Sequence, residues 1–477
     1  MGEQAAAGVA RMGTPGGRAI VAAATLGSGM AMLDGTVVNV ALRTLGEDLD
    51  ASLAELQWVS NGYLLSLASL ILLGGSLGDR FGRRRVFVWG VVAFAAASLL
   101  CGIAPNPEVL IAARVLQGVG GALLTPGSLA MIQGAFVRED RAAAIGAWTG
   151  LGGIASAIGP LVGGTLVEFA DWRWIFLINL PLAALTVVVA QRCVPETRDP
   201  HASTHFDLLG AVLAALALGA TTYALIQWGG PLAPWAGVLA VVAAVLFWQV
   251  EQREREPMLQ LGIFRDPTFS AANAMTFLVY GALGAVLFFL TLQLQTVGGY
   301  GALAAGLASL PLTLCMLLLA ARGGALGARI GPRIPMTLGP LIVAAGTLLL
   351  LRVGPEVSYW RDVFPGITVF GLGLALMVAP LTATVLAAAP DEHAGVASGV
   401  NNAVARAGSL LAVAAFPVAV GLGGEEYADP VAFDAAYGTA LVASAVLLAV
   451  GALVSWVTIR NPVLEEGARR PRSTGEV

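Results

Sequence analysis

Lysine is absent from this chain: all 26 of its basic residues are arginine. A phosphate-binding loop of the G-x-x-x-x-G-K-[ST] type needs that lysine, so ATP hydrolysis by that route is excluded. So is a lysine Schiff base with retinal or pyridoxal. Charge of either sign is also scarce. Only 12% of residues are charged and 57% are hydrophobic, whereas a soluble protein carries about 25% charged residues. Such a composition cannot cover a water-facing surface, so the polypeptide must lie in a membrane. Cysteine is rare and dispersed. Cys101, Cys193 and Cys315 sit in or beside apolar runs and form no C-x-x-C pair or disulfide ladder. The net charge of −4 is too small to imply a nucleic-acid partner. No cleavable leader is expected, because the first apolar run, from Ala19, is followed by many more. His201 and His205 are spaced i, i+4 but lie in a proline-flanked loop without cysteine, so no metal site is expected.

What the chain has is apolar length. A spanning helix needs about 20 apolar residues. Fourteen runs meet or approach this: 19–42, 56–78, 86–104, 109–133, 142–167, 172–191, 207–227, 235–250, 268–292, 301–321, 334–351, 363–389, 394–421 and 437–459. The eighth is short and could extend into Gln249–Glu251. The remainder is loops and two tails, 1–18 and 460–477, with no room for a soluble domain. The expected fold is therefore all-α and membrane-integral. An even number of crossings puts both termini on one side. Twenty arginines fall on that side and four on the other, while Arg114 and Arg406 lie inside runs. Arginine-rich loops stay in the cytoplasm, so both termini are expected there. The loop 422–436, with Glu425, Glu426, Asp429, Asp434 and no arginine, falls on the opposite side.

The chain also repeats itself. G-S-L-G-D-R-F-G-R-R at Gly75–Arg84 follows the second run, and G-A-L-G-A-R-I-G-P-R at Gly324–Arg333 follows the tenth, with six of ten positions matching. The copies are eight runs apart, as two six-helix units separated by two inserted helices would be. Bundles over 19–191 and 268–459, with an insert over 207–250, are expected. Parallel repeats of this kind put a substrate site between the halves, near the midplane.

Several motifs resemble those of the major facilitator superfamily, specifically its fourteen-helix drug:proton antiporter branch, the EmrB/QacA type. L-D-G-T-V-V-N-V-A-L at Leu33–Leu42 is similar to that branch's first-helix signature, although Arg43 stands where the family usually has proline. Gly75–Arg85 resembles the signature between the second and third helices. R-V-L-Q-G-V-G-G-A at Arg114–Ala122 resembles the fourth-helix signature, and G-P-L-V-G-G at Gly159–Gly164 the antiporter signature of the fifth. W-R-W-I-F-L-I-N-L-P at Trp172–Pro181 fits the start of the sixth. The resemblance implies a multi-pass transporter of the cytoplasmic membrane, not an enzyme. It would need no cofactor, only the proton gradient, and would exchange protons for small amphipathic compounds such as drugs or antibiotics. An exporter of a metabolite, such as an amino acid, a siderophore or a biosynthetic product, is the alternative. A membrane enzyme or receptor would need a His/Cys/acid cluster or a sensing domain, and the chain offers neither.

Asp34 is the one carboxylate in the middle of an apolar run, where a charge is costly. It is therefore able to hold and release a proton, unless a hydroxyl or arginine pairs with it for stability alone. The resemblance implies that Asp34 couples proton entry to export and that Arg114 assists. Arg114 either finds acceptors inside the protein or snorkels to the nearby run end. Arg406 has no acid on its own run and needs a partner from another helix, a backbone carbonyl or an anionic group on the substrate. With it, Asn39, Gln117, Tyr280, Asn401 and Asn402 are expected around a substrate cavity, and Trp148, Tyr223 and Gln293 are further candidate walls. Gly75, Asp79, Arg80, Gly82, Arg83 and Arg84 are read either as a topology anchor or as a cytoplasmic gate. As a gate, Asp79 would pair across to the other bundle in the outward-open state and release it in the inward-open one, asymmetrically, since Ala328 replaces it in the second copy. Gly159, Gly163 and Gly164 allow close helix approach, and Pro160 removes a backbone hydrogen bond. That segment is either plain packing or a sealed hinge.

Overall fold

The computed structural model describes residues 10–137, 140–198, 207–254, 257–389, 394–422 and 429–461. His201, His205, Glu425 and Glu426 lie outside the described residues. Fourteen long helices follow one another: α1 Pro15–Leu49, α2 Leu53–Phe81, α3 Arg83–Gly102, α4 Pro107–Ala135 and α5 Arg141–Phe169. They continue with α6 Trp174–Cys193, α7 Leu208–Ile226, α8 Ala233–Arg253, α9 Pro267–Thr296 and α10 Ala302–Ile330. The last four are α11 Arg333–Arg352, α12 Tyr359–Ala387, α13 Ala394–Ala419 and α14 Pro430–Thr458. Among the described residues, thirteen helices are long and apolar enough to cross a membrane. The chain is thus an all-helical, multi-pass membrane protein.

Helix ends depart from the apolar runs for a local reason. The Thr14 hydroxyl accepts from Gly17 N at 3.1 Å, and Pro15 opens the helix. So α1 starts at Pro15 and runs to Leu49, beyond the expected 19–42 on both sides. Ser52 and Glu55 form a reciprocal capping box at the start of α2, and Asn106 with Pro107 opens α4. Capping chemistry recruits polar turns that a hydrophobicity count leaves out. The eighth helix extends, as its flank suggested, to Arg253. The expected tail 1–18 is also corrected. Ala10 exchanges backbone bonds with Ala135 and Val137, and Met12 N donates to Asp140 Oδ2 at 2.8 Å. These residues are therefore bound to the α4–α5 junction.

The chain divides into two compact units. Unit 1 holds Met1–Leu259 with Leu290–Leu307 and Val413–Ala436, and unit 2 holds Gln260–Phe289, Ala308–Ala412 and Tyr437–Val477. The inserted pair α7 and α8 belongs to unit 1, where α7 and α8 pack on each other and α7 packs on α2. Within unit 1, Gln295 Nε2 donates to Val40 O at 2.9 Å and Gln57 Nε2 donates to Val413 O at 2.7 Å. Leu303 N donates to Glu168 Oε2 at 2.9 Å.

The sequence repeat is also a repeat of geometry. In unit 1, α4 packs against both α2 and α3. In unit 2, α12 packs against both α10 and α11. A side chain at Gly74 would collide with the Ala122 carbonyl, and one at the matching Gly323 with the Ala375 carbonyl. Gly82 and Gly331 both take positive φ, 111° and 84°. Glu196 fills the space beside Gly82 and Asn461 the space beside Gly331. Arg84 Nη1 donates to Val194 O at 3.0 Å, and Arg333 Nε donates to Trp456 O at 2.9 Å. In both units the turn after the repeated motif is pinned to residues at or just beyond the end of the sixth helix of its set.

Gly82 is therefore constrained twice, by its backbone and by Glu196, whereas Gly229 has φ +83° with nothing near it. Alanine at Gly229 should cost only the left-handed strain, about 1–2 kcal/mol. Alanine at Gly82 should cost clearly more, because Glu196 must leave Arg84. Thermal unfolding of the two detergent-purified variants checks the order, and equal losses would contradict it.

Candidate functional site

Asp34 lies mid-way along α1 and is 1% exposed. Four other helices converge on it. From α4, Arg114 Nη1 donates to Asp34 Oδ2 in a fully buried ion pair. Gln117, one turn on, donates from Nε2 to Asp34 Oδ1 at 2.8 Å and accepts from Arg114 Nη1 on its Oε1 at 2.6 Å. From α6, Asn179 Nδ2 donates to Asp34 Oδ1 at 3.4 Å and to Ser98 Oγ of α3 at 2.9 Å. Ser98 in turn donates to the Phe176 carbonyl at 3.0 Å. From α2, the Val59 carbonyl accepts from Arg114 Nε at 3.0 Å. The Tyr63 ring lies 4.5 Å under the Arg114 guanidinium, and Tyr63 itself donates to Ala31 O at 3.1 Å.

A buried arginine cannot shed its proton, so each of its donors needs an acceptor. Here the carboxylate is only one of several. Gln117 Oε1, Val59 O and two aromatic faces, Tyr63 and Phe176, also receive the cation. Protonating Asp34 would remove the counter-charge yet leave the guanidinium hydrogen-bonded.

Of the two readings of Arg114, the structure supports the one in which it finds acceptors inside the protein. Arg114 lies seven residues beyond the start of α4 at Pro107, with its guanidinium enclosed. Gln117 is a direct partner of Asp34. The sequence reading missed Asn179, Ser98 and Tyr63. Asn179 sits in the Trp172–Pro181 motif, as a polar residue at the start of an apolar helix, which was a usable signal. Ser98 and Tyr63 carried none.

The other expected residues fall into separate groups. In unit 2, Asn401 Nδ2 of α13 donates to Asn273 Oδ1 at 3.2 Å and to Thr276 Oγ1 at 2.8 Å, both on α9. Tyr280 of α9 lies within electrostatic reach of Arg406 of α13. Asn402 is exposed and bonds its own helix at Ser398 O. In unit 1, Asn39 is half-buried, and Trp148 Nε1 donates to Ser28 Oγ at 2.8 Å. Gln293 donates to Asp434. Tyr223 lines an apolar cavity of about 440 Å³ with Trp58, Leu232 and Trp235. That cavity shares no lining residue with the Asp34 cluster.

At the motif turn, Arg83 Nε donates to Asp79 Oδ1 at 2.9 Å, so Asp79 pairs within its own junction. The i, i+4 spacing explains why. Arg84 N donates to Glu196 Oε1 at 3.1 Å, and Arg80 stacks 5.4 Å over Phe81. Gly75 faces Pro126. In α5, Gly159 abuts Thr36 and the Leu33 carbonyl, and Gly163 abuts Val37. These α1 residues flank Asp34. Gly164 abuts Leu303, and the Pro160 carbonyl abuts Gly306 on α10.

Residues 24–413 match the model of the Major Facilitator Superfamily. The chain is 36% identical over 428 residues to the methylenomycin A resistance protein of Bacillus subtilis, covering 86% of this chain and 89% of that one. It is 35% identical to a puromycin resistance protein of Streptomyces alboniger, covering 93% and 91% of the two chains. Among solved structures it resembles a bacterial homologue of the lysosomal transporter Spinster, with TM-score 0.65, 17% identity, and 95% and 98% coverage. These are membrane transporters rather than enzymes. The chain belongs to the Major Facilitator Superfamily.

Removing one partner of a buried ion pair commonly costs about 3–5 kcal/mol. Arg114→Leu alone should therefore lower the thermal stability of the purified protein strongly, and adding Asp34→Asn should recover part of the loss. A double variant no more stable than Arg114→Leu would show that the two side chains are not energetically paired.

Proposed function

We propose that this protein exports small amphipathic compounds, such as antibiotics, from the cytoplasm in exchange for protons. The observation that carries the reading is the buried Asp34–Arg114 pair with Gln117 and Asn179 on the same carboxylate. The names of the relatives support the cargo class. Besides the methylenomycin and puromycin resistance proteins, a tetracenomycin C resistance and export protein of Streptomyces glaucescens is 34% identical over 83% of this chain. The arginine distribution supports a cytoplasmic location for both termini.

In the proposed cycle Asp34 takes up a proton from the outer side and gives it up inward. In the anion form it is clamped to Arg114 and Gln117, which ties α1 to α4. In the neutral form the clamp loosens, Arg114 falls back on Gln117 Oε1 and the Val59 carbonyl, and α1 is free to shift. The proton gradient supplies the energy, and no cofactor takes part. Gly159 and Gly163 keep α5 flush against α1 beside the coupling carboxylate, while Pro160 and Gly164 seat α5 on α10. We assign this contact as the antiporter hinge that moves with α1 and blocks proton leak. The Gly75–Arg84 turn, with Asp79, Arg80, Gly82 and Arg83, acts as the cytoplasmic gate element. Asn39, Tyr280, Asn401, Asn402 and Arg406 are the residues assigned to the substrate path.

Asp34→Asn should reach the membrane normally yet lose uphill export, because an amide cannot cycle a proton. Efflux of a panel of cationic, neutral and zwitterionic compounds, with and without a protonophore, measures this. Protonophore-sensitive efflux retained in the variant would sink the assignment.

Gly159→Leu and Gly163→Leu add bulk where α5 touches α1. Overpacking costs about 1–3 kcal/mol, enough to unbalance two conformations of similar energy. Both variants should be present in the membrane at normal levels and transport little. Wild-type efflux from both would mean that the contact is packing alone.

A further inference from the structure

The second buried-helix arginine is the opposite of the first. Arg114 is fully satisfied. Arg406 has a buried Nε with no hydrogen-bond partner, and no described residue forms an ion pair with it. Arg406 lies midway along α13, Ala394–Ala419. At 1.5 Å per residue its Cα is about 20 Å from either helix end, too far for its side chain to reach an aqueous interface by snorkelling. Arg406 as a whole is half-buried, so its buried Nε is left without a partner while the rest of the guanidinium stays open to a ligand.

Its surroundings are held firmly. Gly408, two residues on, lies against the Phe277 carbonyl of α9, and Gly284 of α9 lies against Ser409. One α13 turn earlier, Asn401 is bonded across to Asn273 and Thr276. The α9–α13 contact is thus fixed on both sides of Arg406, and the Tyr280 phenol stands within electrostatic reach. Among the described residues no acid is paired with the guanidinium. Helices α9, α10, α11 and α13 carry no Asp or Glu. Asp362 is in the first turn of α12 and takes Arg361, and Asp434 near the start of α14 takes Gln293.

We propose that Arg406 is the docking point for a single carboxylate on the exported compound, with the Tyr280 hydroxyl as a second polar contact. The cargo class is then amphipathic monocarboxylic acids and zwitterions. A guanidinium edge presents two parallel donors matched to the two oxygens of a carboxylate. The substrate supplies the counter-charge that the protein withholds, so an acid is favoured over a neutral compound of the same shape. Dications are disfavoured, since they would add charge of the same sign. This inference rests on the export reading above.

The test uses everted membrane vesicles and a panel of amphipathic monocarboxylic acids, each paired with its primary amide, with dicationic compounds alongside. The wild type should transport acids in preference to their amides. Arg406→Gln should lower acid transport relative to amide transport about tenfold or more, and Arg406→Lys should retain part of the acid preference. Normal membrane levels and an unchanged thermal unfolding profile of the purified Arg406→Gln variant certify that it is folded. The assignment is overturned if Arg406→Gln keeps the acid preference, or if it loses acids and amides alike. It is also overturned if the wild type transports dications or amides as well as acids, an outcome that leaves the export reading standing. Proton-dependent transport of none of these compounds would sink the export reading itself.

Discussion

A carboxylate and a guanidinium, each 1% exposed, are enclosed together in a protein that has very few other charges to offer. Isolating either one in such an environment is prohibitive, so the surrounding helices must supply every remaining partner. The result is a five-helix junction. Asp34 comes from α1, Arg114 and Gln117 from α4, Asn179 from α6, Ser98 from α3, and the Val59 carbonyl with the Tyr63 ring from α2. Most of the first bundle is thereby referred to one carboxyl group. Removal of that group would leave contacts on α1, α4 and α6 unmade at once.

The glycines let the junction be read mechanically. On α5 they bring a second helix against the α1 turns that carry Leu33, Thr36 and Val37, immediately beside Asp34. At Gly159 and Gly163 only the Thr36 and Val37 side chains of α1 fill the contact, with nothing from α5. At the far end of each bundle the positive-φ glycines Gly82 and Gly331 accept a side chain from the segment beyond the last helix. The two halves thus share a bracing scheme. They differ in the polar chemistry they enclose, a satisfied acid–base pair in unit 1 and an unpaired cation in unit 2.

The crossings, the two copies of the motif turn and the importance of Asp34 were all legible in the sequence, because hydrophobic length, spacing and an isolated charge are one-dimensional signals. Helix limits were less so. Thr14 and the Ser52–Glu55 box extend or start helices with polar residues that a hydrophobicity count discards. The partners of Asp34 were legible only in part. Arg114 and Gln117 stand out in an apolar run, but their meeting with Asp34 depends on how α1 packs on α4. Ser98 and Tyr63 look like any other residues of their helices until four neighbours converge on the same point.

The central claim is that the Asp34 carboxyl is the group that changes protonation. Infrared difference spectroscopy of the purified protein in lipid, between acid and alkaline pH, tests it without knowledge of the substrate. The account predicts a buried carboxylic-acid C=O band that appears on acidification of the wild type and is missing from Asp34→Asn. An unchanged band in that variant would place the titrating proton elsewhere and contradict the account.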